Sequence, residues 1–394
     1  MRLSTVLTAV PALAAAVLLG AGQAPARSAP PTDSFTFVVG TVMYPPNVVH
    51  GADRRQHLAY ELQLLNTGFV PVGLDRVDTI DPASGAVLAS RQGAELTTLV
   101  KRPEGGDYDG TLGPGLTAIV VLDVALPDTA PPPRSLLHRV SISYDDSQMP
   151  PGLVAAKTYT TAGSPVLRDA PVVISPPLRG AGWIAANGCC ATRTDHRGGA
   201  IPVNGQLRLP ERYANDFIQL GADRRLFTGP QDSLSSYGYY GARVYSVADG
   251  TVVAAHDGEP EQIPPGFPPP FDPTTAPGNW LVIDIGDGHY VLYAHLQQHS
   301  AMVHLGDHVR SHQPIAKLGN TGSSSAPHLH FQVMDAPSPS ASNGLPYEFD
   351  RFAGEGTVTD ETALFAGEPT PVGPALAGPH ARQLPLNLQV VDFR

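Results

Sequence analysis

Cysteine is almost absent from this chain of 394 residues, since Cys189 and Cys190 are the only two and they are adjacent. A disulfide framework that joins distant segments is therefore excluded. The pair is left with three states: a strained disulfide between neighbours, a bond to another chain, or two free thiols. Adjacent residues of an extended chain direct their side chains apart, so we do not expect this pair to bind a metal.

Runs of lysine or arginine are also missing, and the formal net charge is −11, so a nucleic-acid partner is not expected. After residue 26, no hydrophobic stretch is long enough to cross a membrane. Long amphipathic helical periods are absent as well, whereas 40 glycines and 41 prolines supply many turns. This composition favours an all-β protein.

The beginning of the chain has the pattern of a secretory signal peptide. An apolar segment follows Arg2, and Ala24-Pro25-Ala26 matches a cleavage site with small residues at its two ends. We therefore expect residues 1–26 to be removed during export, which leaves 27–33 as a polar leader. The mature protein is expected to be secreted or periplasmic, and no cysteine lies near the cleavage site to carry a lipid anchor.

The mature chain is long enough for two domains. Alternating apolar residues and frequent turns predict an immunoglobulin-like β-sandwich at 34–145. A proline-rich linker is expected at 146–181, a second β domain at 182–352, and a C-terminal extension at 353–394. The strands predicted in the sandwich are Phe35–Val42, His57–Asn66, Thr117–Leu126 and His138–Tyr144.

The second domain contains turn signals of the hairpin type. Asp249-Gly250 and Asp287-Gly288 can supply the positive φ that tight hairpins need. The predicted hairpins join Val244–Val247 with Thr251–Ala255, and Trp280–Ile285 with His289–Leu296. Between them, 257–278 is a long proline-rich loop, which is expected to wall one side of a groove together with 297–325. Three tyrosines are predicted either to stack on a substrate in this groove or to pack in the core: Tyr237, Tyr239 and Tyr240.

Histidines crowd into one part of this domain, with eight of 14 between residues 289 and 330. His328 and His330 share one face if their segment is a strand, and two adjacent imidazoles suit a metal or a proton-transfer site. His295 ends the preceding strand, where alternation places it on the same face as Tyr293. Four histidines in a polar, turn-rich segment are interpreted as solvated: His299, His304, His308 and His312.

A carboxylate inside an apolar strand is the next unusual feature. Asp216 interrupts the strand-like run Tyr213–Ile218, where a buried charge is costly unless it is paired or coordinated. Asp216 is therefore a candidate metal ligand, and an ion pair with Arg212 is the alternative.

Taken together, these motifs resemble the catalytic domain of the lysostaphin-type (LytM-like) zinc metallopeptidases, which cut peptide bonds in bacterial cell-wall peptidoglycan. The resemblance covers about 182–352 and implies an antiparallel β fold with an open groove. The residues that carry it are Asp216, the strand pair at 241–252, Tyr293-Ala294-His295-Leu296, Gly319-Asn320-Thr321-Gly322 and His328-Leu329-His330-Phe331.

The resemblance implies one Zn²⁺ per chain, bound by an aspartate, by the second histidine of His-x-His and by one further histidine. Asp216 and His330 match the first two. In the common form the third ligand lies four residues before the aspartate, where this chain has Arg212, which has no lone pair to donate. Some members carry a His-Arg pair further upstream instead, so we predict His196 as the third ligand.

His295 and His328 are the implied catalytic pair. One would take a proton from the attacking water, and the other would stabilise the oxyanion or protonate the leaving amine; their order is left open. The predicted function is a secreted zinc endopeptidase acting on peptidoglycan peptides. One alternative is a non-catalytic module of the same fold that binds cell wall or regulates another hydrolase; another is an adhesive protein that works through its sandwich. The bond that is cut and the oligomeric state stay open.

Overall fold

A computed structural model describes residues 33–103, 105–266 and 272–394. The predicted signal peptide, most of the polar leader and residues 267–271 of the proline-rich loop lie outside the described residues. Strands dominate the described ranges, which confirms the all-β prediction. The helices there are α1 (Gly93–Leu99), α2 (Glu361–Phe365) and two 3-10 turns, Asp146–Gln148 and Leu234–Ser236. None of the helices described is long and apolar enough to span a membrane.

Nine strands build the N-terminal part of the fold. They are β1 (Val38–Val42), β2 (Val48–His50), β3 (Arg55–Asn66), β4 (Gly73–Ile80), β5 (Val87–Gln92), β6 (Val100–Lys101), β7 (Thr117–Pro127), β8 (Ser135–Ser143) and β9 (Thr158–Pro165). One sheet has the order β1-β3-β7-β6, with β2 paired to β3, and the other has the order β5-β4-β8-β9. We call these two sheets the N-terminal sandwich.

Alternation explains why the two sheets enclose one core. Leu58, Tyr60 and Leu62 of β3 are fully buried in the same cluster as Val77 of β4 and Val140 of β8. All four predicted strands are present with small shifts at their ends, whereas five strands were not predicted: β2, β4, β5, β6 and β9. The immunoglobulin-like fold of this part stays a prediction.

The segment predicted as a linker, 146–181, contains two strands. β9 pairs with β8 at the edge of the second sheet, and β10 (Val172–Ile174) pairs in parallel with residues 347–349. Proline is tolerated at strand ends and on edge strands, where no N–H is needed for the ladder. The high proline content therefore did not exclude strands in this segment. The predicted domain limits stay predictions.

The rest of the chain forms a 12-stranded sheet and three two-stranded pairings. Its further strands are β11 (Gly180–Ala186), β12 (Ile201–Val203), β13 (Gln206–Arg208), β14 (Asn215–Gln219), β15 (Arg243–Tyr245), β16 (Gly250–His256), β17 (Trp280–Asp284), β18 (Tyr290–Ala294), β19 (His308–Val309), β20 (Pro314–Lys317), β21 (Leu329–Met334), β22 (Gly344–Leu345), β23 (Tyr347–Phe349), β24 (Phe352–Val358), β25 (Val372–Gly373), β26 (Gly378–His380) and β27 (Gln389–Phe393).

The large sheet has the order β19-β16-β17-β18-β21-β14-β11-β27-β24-β25, with β22 paired to β21 and β26 to β24. The small pairings are β10-β23, β12-β13 and β15-β20. The segment predicted as an extension, 353–394, supplies β27, which pairs with β11. Val390 and Val391 of β27 are fully buried in the main core, so this segment is an integral part of the sheet.

Of the two predicted hairpins, the second is confirmed and the first is wrong. β17 pairs with β18 across Asp287 and Gly288, whose φ values of 51° and 75° suit a tight turn. The first hairpin would pair β15 with β16. Instead, β15 pairs with β20, and β16 pairs with β17 and β19. The reason is that neither Asp249 nor Gly250 adopts a positive φ, so the chain does not turn back there.

The N-terminal sandwich packs directly against the rest of the fold through β3. While Tyr60 enters the sandwich core, Ala59 on the opposite face is buried in the main core with Val49 and Ala52. Glu61, also on that opposite face, is completely buried. Thr36–Arg394 accordingly forms one compact unit.

Candidate metal and catalytic site

Neighbouring strands of the large sheet bring two of the predicted ligands together. Asp216 on β14 lies directly opposite His330 on β21, and directly opposed residues project from the same face of a sheet. The alternate residues of β21, Leu329, Phe331 and Val333, are fully buried in the main core. The predicted alternation of this segment, with imidazoles on one face and apolar residues on the other, is therefore confirmed.

His328 precedes β21 and faces the same carboxylate as His330. Its Nε2 atom lies 3.5 Å from Oδ1 of Asp216, and its backbone N–H donates a hydrogen bond of 3.2 Å to the carbonyl of Gly319. The two histidines of the His-x-His motif thus converge on Asp216.

His295 reaches the site by a route that alternation did not predict. β18 ends at Ala294, and His295 has a φ of 57°, a left-handed conformation in which histidine is enriched among non-glycine residues. As a result, the alternation slips by one residue. Leu296 joins Tyr293 in the main core, while His295 turns towards the opposite face, with its ring centre 4.5 Å from that of His328. The prediction that His295 shares a face with Tyr293 is wrong.

His196 completes the cluster from the loop between β11 and β12. Its Nε2 atom lies 3.2 Å from Oδ2 of Asp216, and its ring centre is 4.8 Å from that of His330. The ligand atoms of His196, Asp216 and His330 all lie within 4.8 Å of one another. Arg212 is not part of this cluster, because its Nε atom donates to Glu61 of β3 at 2.7 Å. The alternative ion pair between Asp216 and Arg212 is therefore not formed.

Hydrogen bonds direct one ring nitrogen of each histidine ligand towards Asp216. Nε2 of His330 lies 2.8 Å from Oε1 of Gln332, and its Nδ1 lies 3.0 Å from Oδ1 of Asp216. Nδ1 of His196 donates to the carbonyl of Ala214 at 3.3 Å, which directs Nε2 towards Asp216. Between each of these nitrogens and the carboxylate lies either a proton on the ring or a metal ion that replaces that proton.

The spacing of these donors suits zinc. Two ligand atoms bound tetrahedrally to Zn²⁺, each about 2.0–2.1 Å from the metal, lie about 3.3–3.4 Å apart. The observed separations from Asp216 are 3.0 Å for His330 and 3.2 Å for His196. Two imidazoles and one carboxylate are also a ligand set that hydrolytic zinc sites use. The residues present therefore fit this metal.

Electrostatics separate the candidate ligands from the candidate catalytic pair. Burial opposes charge on Asp216, but His196 and His328 hold the pKa of that carboxyl well below its ordinary value. Burial likewise lowers the pKa of His196, yet Asp216 outweighs it and raises this pKa to about 9. Burial, reinforced by the neighbouring histidines, lowers the pKa of His295 well below its ordinary value, and burial lowers that of His328. These two imidazoles are thus neutral near pH 7, as a general base must be.

Backbone carbonyls set the tautomers of this neutral pair. Nδ1 of His295 donates to the carbonyl of Thr321 at 2.7 Å, and Nδ1 of His328 donates to that of Ala326 at 2.9 Å. Each Nε2 atom is therefore the one that is free to accept a proton. Both histidines have the same capability, so the division of roles between them stays open.

Three residues that support the site were not predicted. Nδ2 of Asn187 donates to Oδ2 of Asp216 at 2.9 Å. Gln332 contacts His330, and the carbonyl of Thr321 accepts from His295. Gln332 could have been found, because it lies two residues after His330 on one strand face. Asn187 and Thr321 lie in loops, where no periodic pattern indicates what their polar groups contact.

The proline-rich loop lies against the segment that carries Thr321. The backbone N–H of His295 donates to the carbonyl of Pro277 at 3.0 Å, and that of Ser323 donates to Ala276 at 2.8 Å. Tyr237 and Tyr239 are only 2% and 4% exposed, so core packing is correct for them and stacking on a substrate is not. Tyr240 is partly buried, and its hydroxyl accepts from Gln297.

The cysteine pair adopts the first of its three possible states, a disulfide between neighbours. A second group of potential ligands among the described residues contains His57, Asp123 and Cys190. Because the sulfur of Cys190 is bonded to Cys189, it offers no thiolate, and only two ligands remain there.

Comparison with known families is consistent with this geometry. Residues 232–342 match the model of peptidase family M23. The chain contains an M23 peptidase domain. The matched residues include His295, His328 and His330, whereas His196 and Asp216 precede them, so the inclusion of these two depends on the geometry described above.

Solved structures of M23 and lysostaphin-type domains are among those similar to this chain. The catalytic domain of the antimicrobial peptidase lysostaphin from Staphylococcus simulans is 24% identical over 43% of this chain and 88% of that chain, with a TM-score of 0.23. A longer lysostaphin structure is 23% identical over 45% and 53%, with a TM-score of 0.23. A putative M23 peptidase from Pseudomonas aeruginosa is 14% identical over 68% and 90%, with a TM-score of 0.24. Since these TM-scores are low, the family assignment depends on the sequence match.

Proposed function

We propose that this protein is a zinc-dependent endopeptidase that hydrolyses peptide bonds of bacterial peptidoglycan. The observation that carries the proposal is the convergence of three ligand groups beside two further imidazoles whose Nδ1–H groups donate to backbone carbonyls. Membership of the M23 family supports the reaction class, and the resemblance to lysostaphin-type enzymes supports the substrate class. The predicted signal peptide supports action outside the cytoplasm, in the periplasm or after secretion.

His196, Asp216 and His330 would hold the metal, and three protein ligands leave one position open for reactants. Zinc bound there supplies Lewis acidity to the scissile carbonyl and to the attacking water. Asn187 and Gln332 keep two of the ligands in the orientation that binding requires.

His295 and His328 would move protons at their Nε2 atoms. The imidazole that lies nearer the water takes its proton at Nε2. The other, once its own Nε2 is protonated, stabilises the oxyanion or protonates the leaving amine. Because Thr321 and Ala326 fix their Nδ1–H groups, neither ring must reorient before it accepts a proton.

The alternative function is a non-catalytic M23 module that binds cell wall or regulates another hydrolase. The site contains all three metal ligands and also two imidazoles that can transfer protons. This combination favours the enzyme, because a binding module does not need proton-transfer groups beside a metal.

The test combines zinc content with dye release from labelled peptidoglycan, with and without a chelator. We expect His330→Ala to lose both zinc and activity, and His295→Ala to keep zinc while losing turnover. His304→Ala is the matched control, because the side chain of His304 is 86% exposed and lies outside the site.

Full activity in either site variant would refute these roles. Stoichiometric zinc without any hydrolysis of peptidoglycan, over a range of substrates, would favour the binding module instead.

A further inference from the structure

We propose that Glu61, on β3 of the N-terminal sandwich, is a positioning residue for the zinc site of the second domain. The inference rests on the proposed function, since it concerns how the ligands are held. It assigns the sandwich a part in building the site.

Two arginines next to the ligands converge on this one carboxylate. Arg212 reaches Oε2 of Glu61 through Nε at 2.7 Å and through Nη2 at 2.5 Å, while Nε of Arg197 lies 3.6 Å from Oε1. Arg197 directly follows His196, and Arg212 lies in the short turn at 210–213 that precedes the strand of Asp216. The side chains of the carboxylate and both arginines are at most 1% exposed.

Arg197 also ties the loop of His196 to the sandwich. Its Nη1 donates to the carbonyl of Cys190 at 2.6 Å, and its Nη2 donates to that of Leu122 on β7 at 2.9 Å. One guanidinium thus links the beginning of this loop, the residue after the ligand and two strands of the sandwich. The loop has no ladder of its own at His196, so these bonds restrict where the imidazole can lie.

Removing the negative charge would leave two buried cations facing each other without a counterion. Buried unpaired charges are strongly unfavourable, so at least one arginine would withdraw from the interior. Because Arg197 is bonded to His196, its withdrawal would move a ligand. Residues that orient metal ligands from outside the coordination sphere commonly change metal affinity in this way.

The sandwich contains a matched control for this chemistry. Asp78 on β4 is also a buried carboxylate paired with two arginines, with Nε of Arg76 at 2.7 Å and Nη2 of Arg139 at 2.6 Å. It lies in the other sheet, and its arginines are 42% and 39% exposed, so they can be solvated when the partner is lost. Asp78→Asn therefore removes the same type of pair without touching the ligand loop.

The experiment measures zinc dissociation constants by competition with a chromophoric chelator. We expect Glu61→Gln to raise the constant about 10- to 100-fold and Asp78→Asn to leave it unchanged. The cobalt-substituted protein supplies a second readout, since four-coordinate Co²⁺ absorbs far more strongly than six-coordinate Co²⁺. This absorption should fall in Glu61→Gln, because waters that enter when His196 is lost raise the coordination number, and it should persist in Asp78→Asn.

Arg197→Lys covers the case in which Glu61→Gln does not fold. It keeps the positive charge but loses the fork that reaches Cys190 and Leu122, so zinc affinity should again fall. Wild-type zinc affinity in either folded variant, or an equal loss in Asp78→Asn, would overturn the inference alone. A wild-type protein that binds no zinc would overturn the proposed function and this inference with it.

Discussion

Gln332 offers a way to separate metal binding from folding. Its Oε1 atom lies 2.8 Å from Nε2 of His330 and accepts from it in the tautomer whose Nδ1 can bind a metal beside Asp216. The residue is 1% exposed, and its Nε2 atom has no hydrogen-bond partner among the described residues. Gln332→Leu thus removes one useful acceptor and one buried donor that is unpaired.

The two consequences differ in size and sign. Losing the partner that orients a histidine ligand typically costs 10- to 100-fold in metal affinity, or about 1.4–2.7 kcal/mol of binding free energy. In the zinc-free protein, the lost hydrogen bond is worth about 1 kcal/mol, whereas removing an unpaired buried donor recovers about 1–3 kcal/mol. We therefore expect weaker zinc binding with an unchanged or higher free energy of unfolding of the zinc-free protein.

The assay pairs zinc competition with urea denaturation of the zinc-free protein. Gln332→Glu is the control, because it keeps an acceptor opposite His330 and should retain most of the wild-type affinity. The reasoning is refuted if Gln332→Leu binds zinc as tightly as wild type, or if its loss of affinity is matched by an equal loss of zinc-free stability.

Two further predictions concern pH and the loop beside the site. Burial lowers the pKa of His57, but two carboxylates, Asp123 foremost, raise it to about 9. The imidazolium therefore contributes roughly 3 kcal/mol of stability below pH 6.5, which is lost as pH rises towards 9. His57→Gln should flatten this part of the pH profile of unfolding; an unaltered profile would contradict the assignment. At Gly278, φ is +63° and an added Cβ would lie 2.4 Å from Thr321, whose carbonyl holds His295. Gly278→Ala should lower kcat about 100-fold with zinc retained, and wild-type kcat would show that this contact does not matter.

Local patterns in the chain predicted the core of the site. The two-residue period of strands placed His328 and His330 opposite Leu329 and Phe331, and the structure confirms that arrangement. The cost of burying a carboxylate in an apolar strand singled out Asp216. Both inferences depend only on neighbours in sequence, which is why they needed no tertiary information.

Loops were harder to predict, because their conformation depends on contacts with distant segments. His295 was predicted on the wrong face since a single left-handed residue reverses the alternation, and no local pattern reported it. The prediction of the first hairpin failed in the opposite way, because Asp249-Gly250 has a turn-forming composition but neither residue has the positive φ that the turn requires. In the proline-rich segment 146–181, β9 forms because it pairs with β8, and the local sequence did not indicate this partner.

The sequence by itself determined an all-β chain, the family of its second domain and the residue types available for a metal site. These follow from composition, short periods and motifs, all of which are local properties. Only the tertiary structure brought His196 within 3.2 Å of Asp216 and turned Arg212 away to Glu61. These contacts depend on the pairing of buried charged groups that are distant in sequence. Glu61 lies 151 residues before Arg212, so no local sequence pattern could indicate their ion pair.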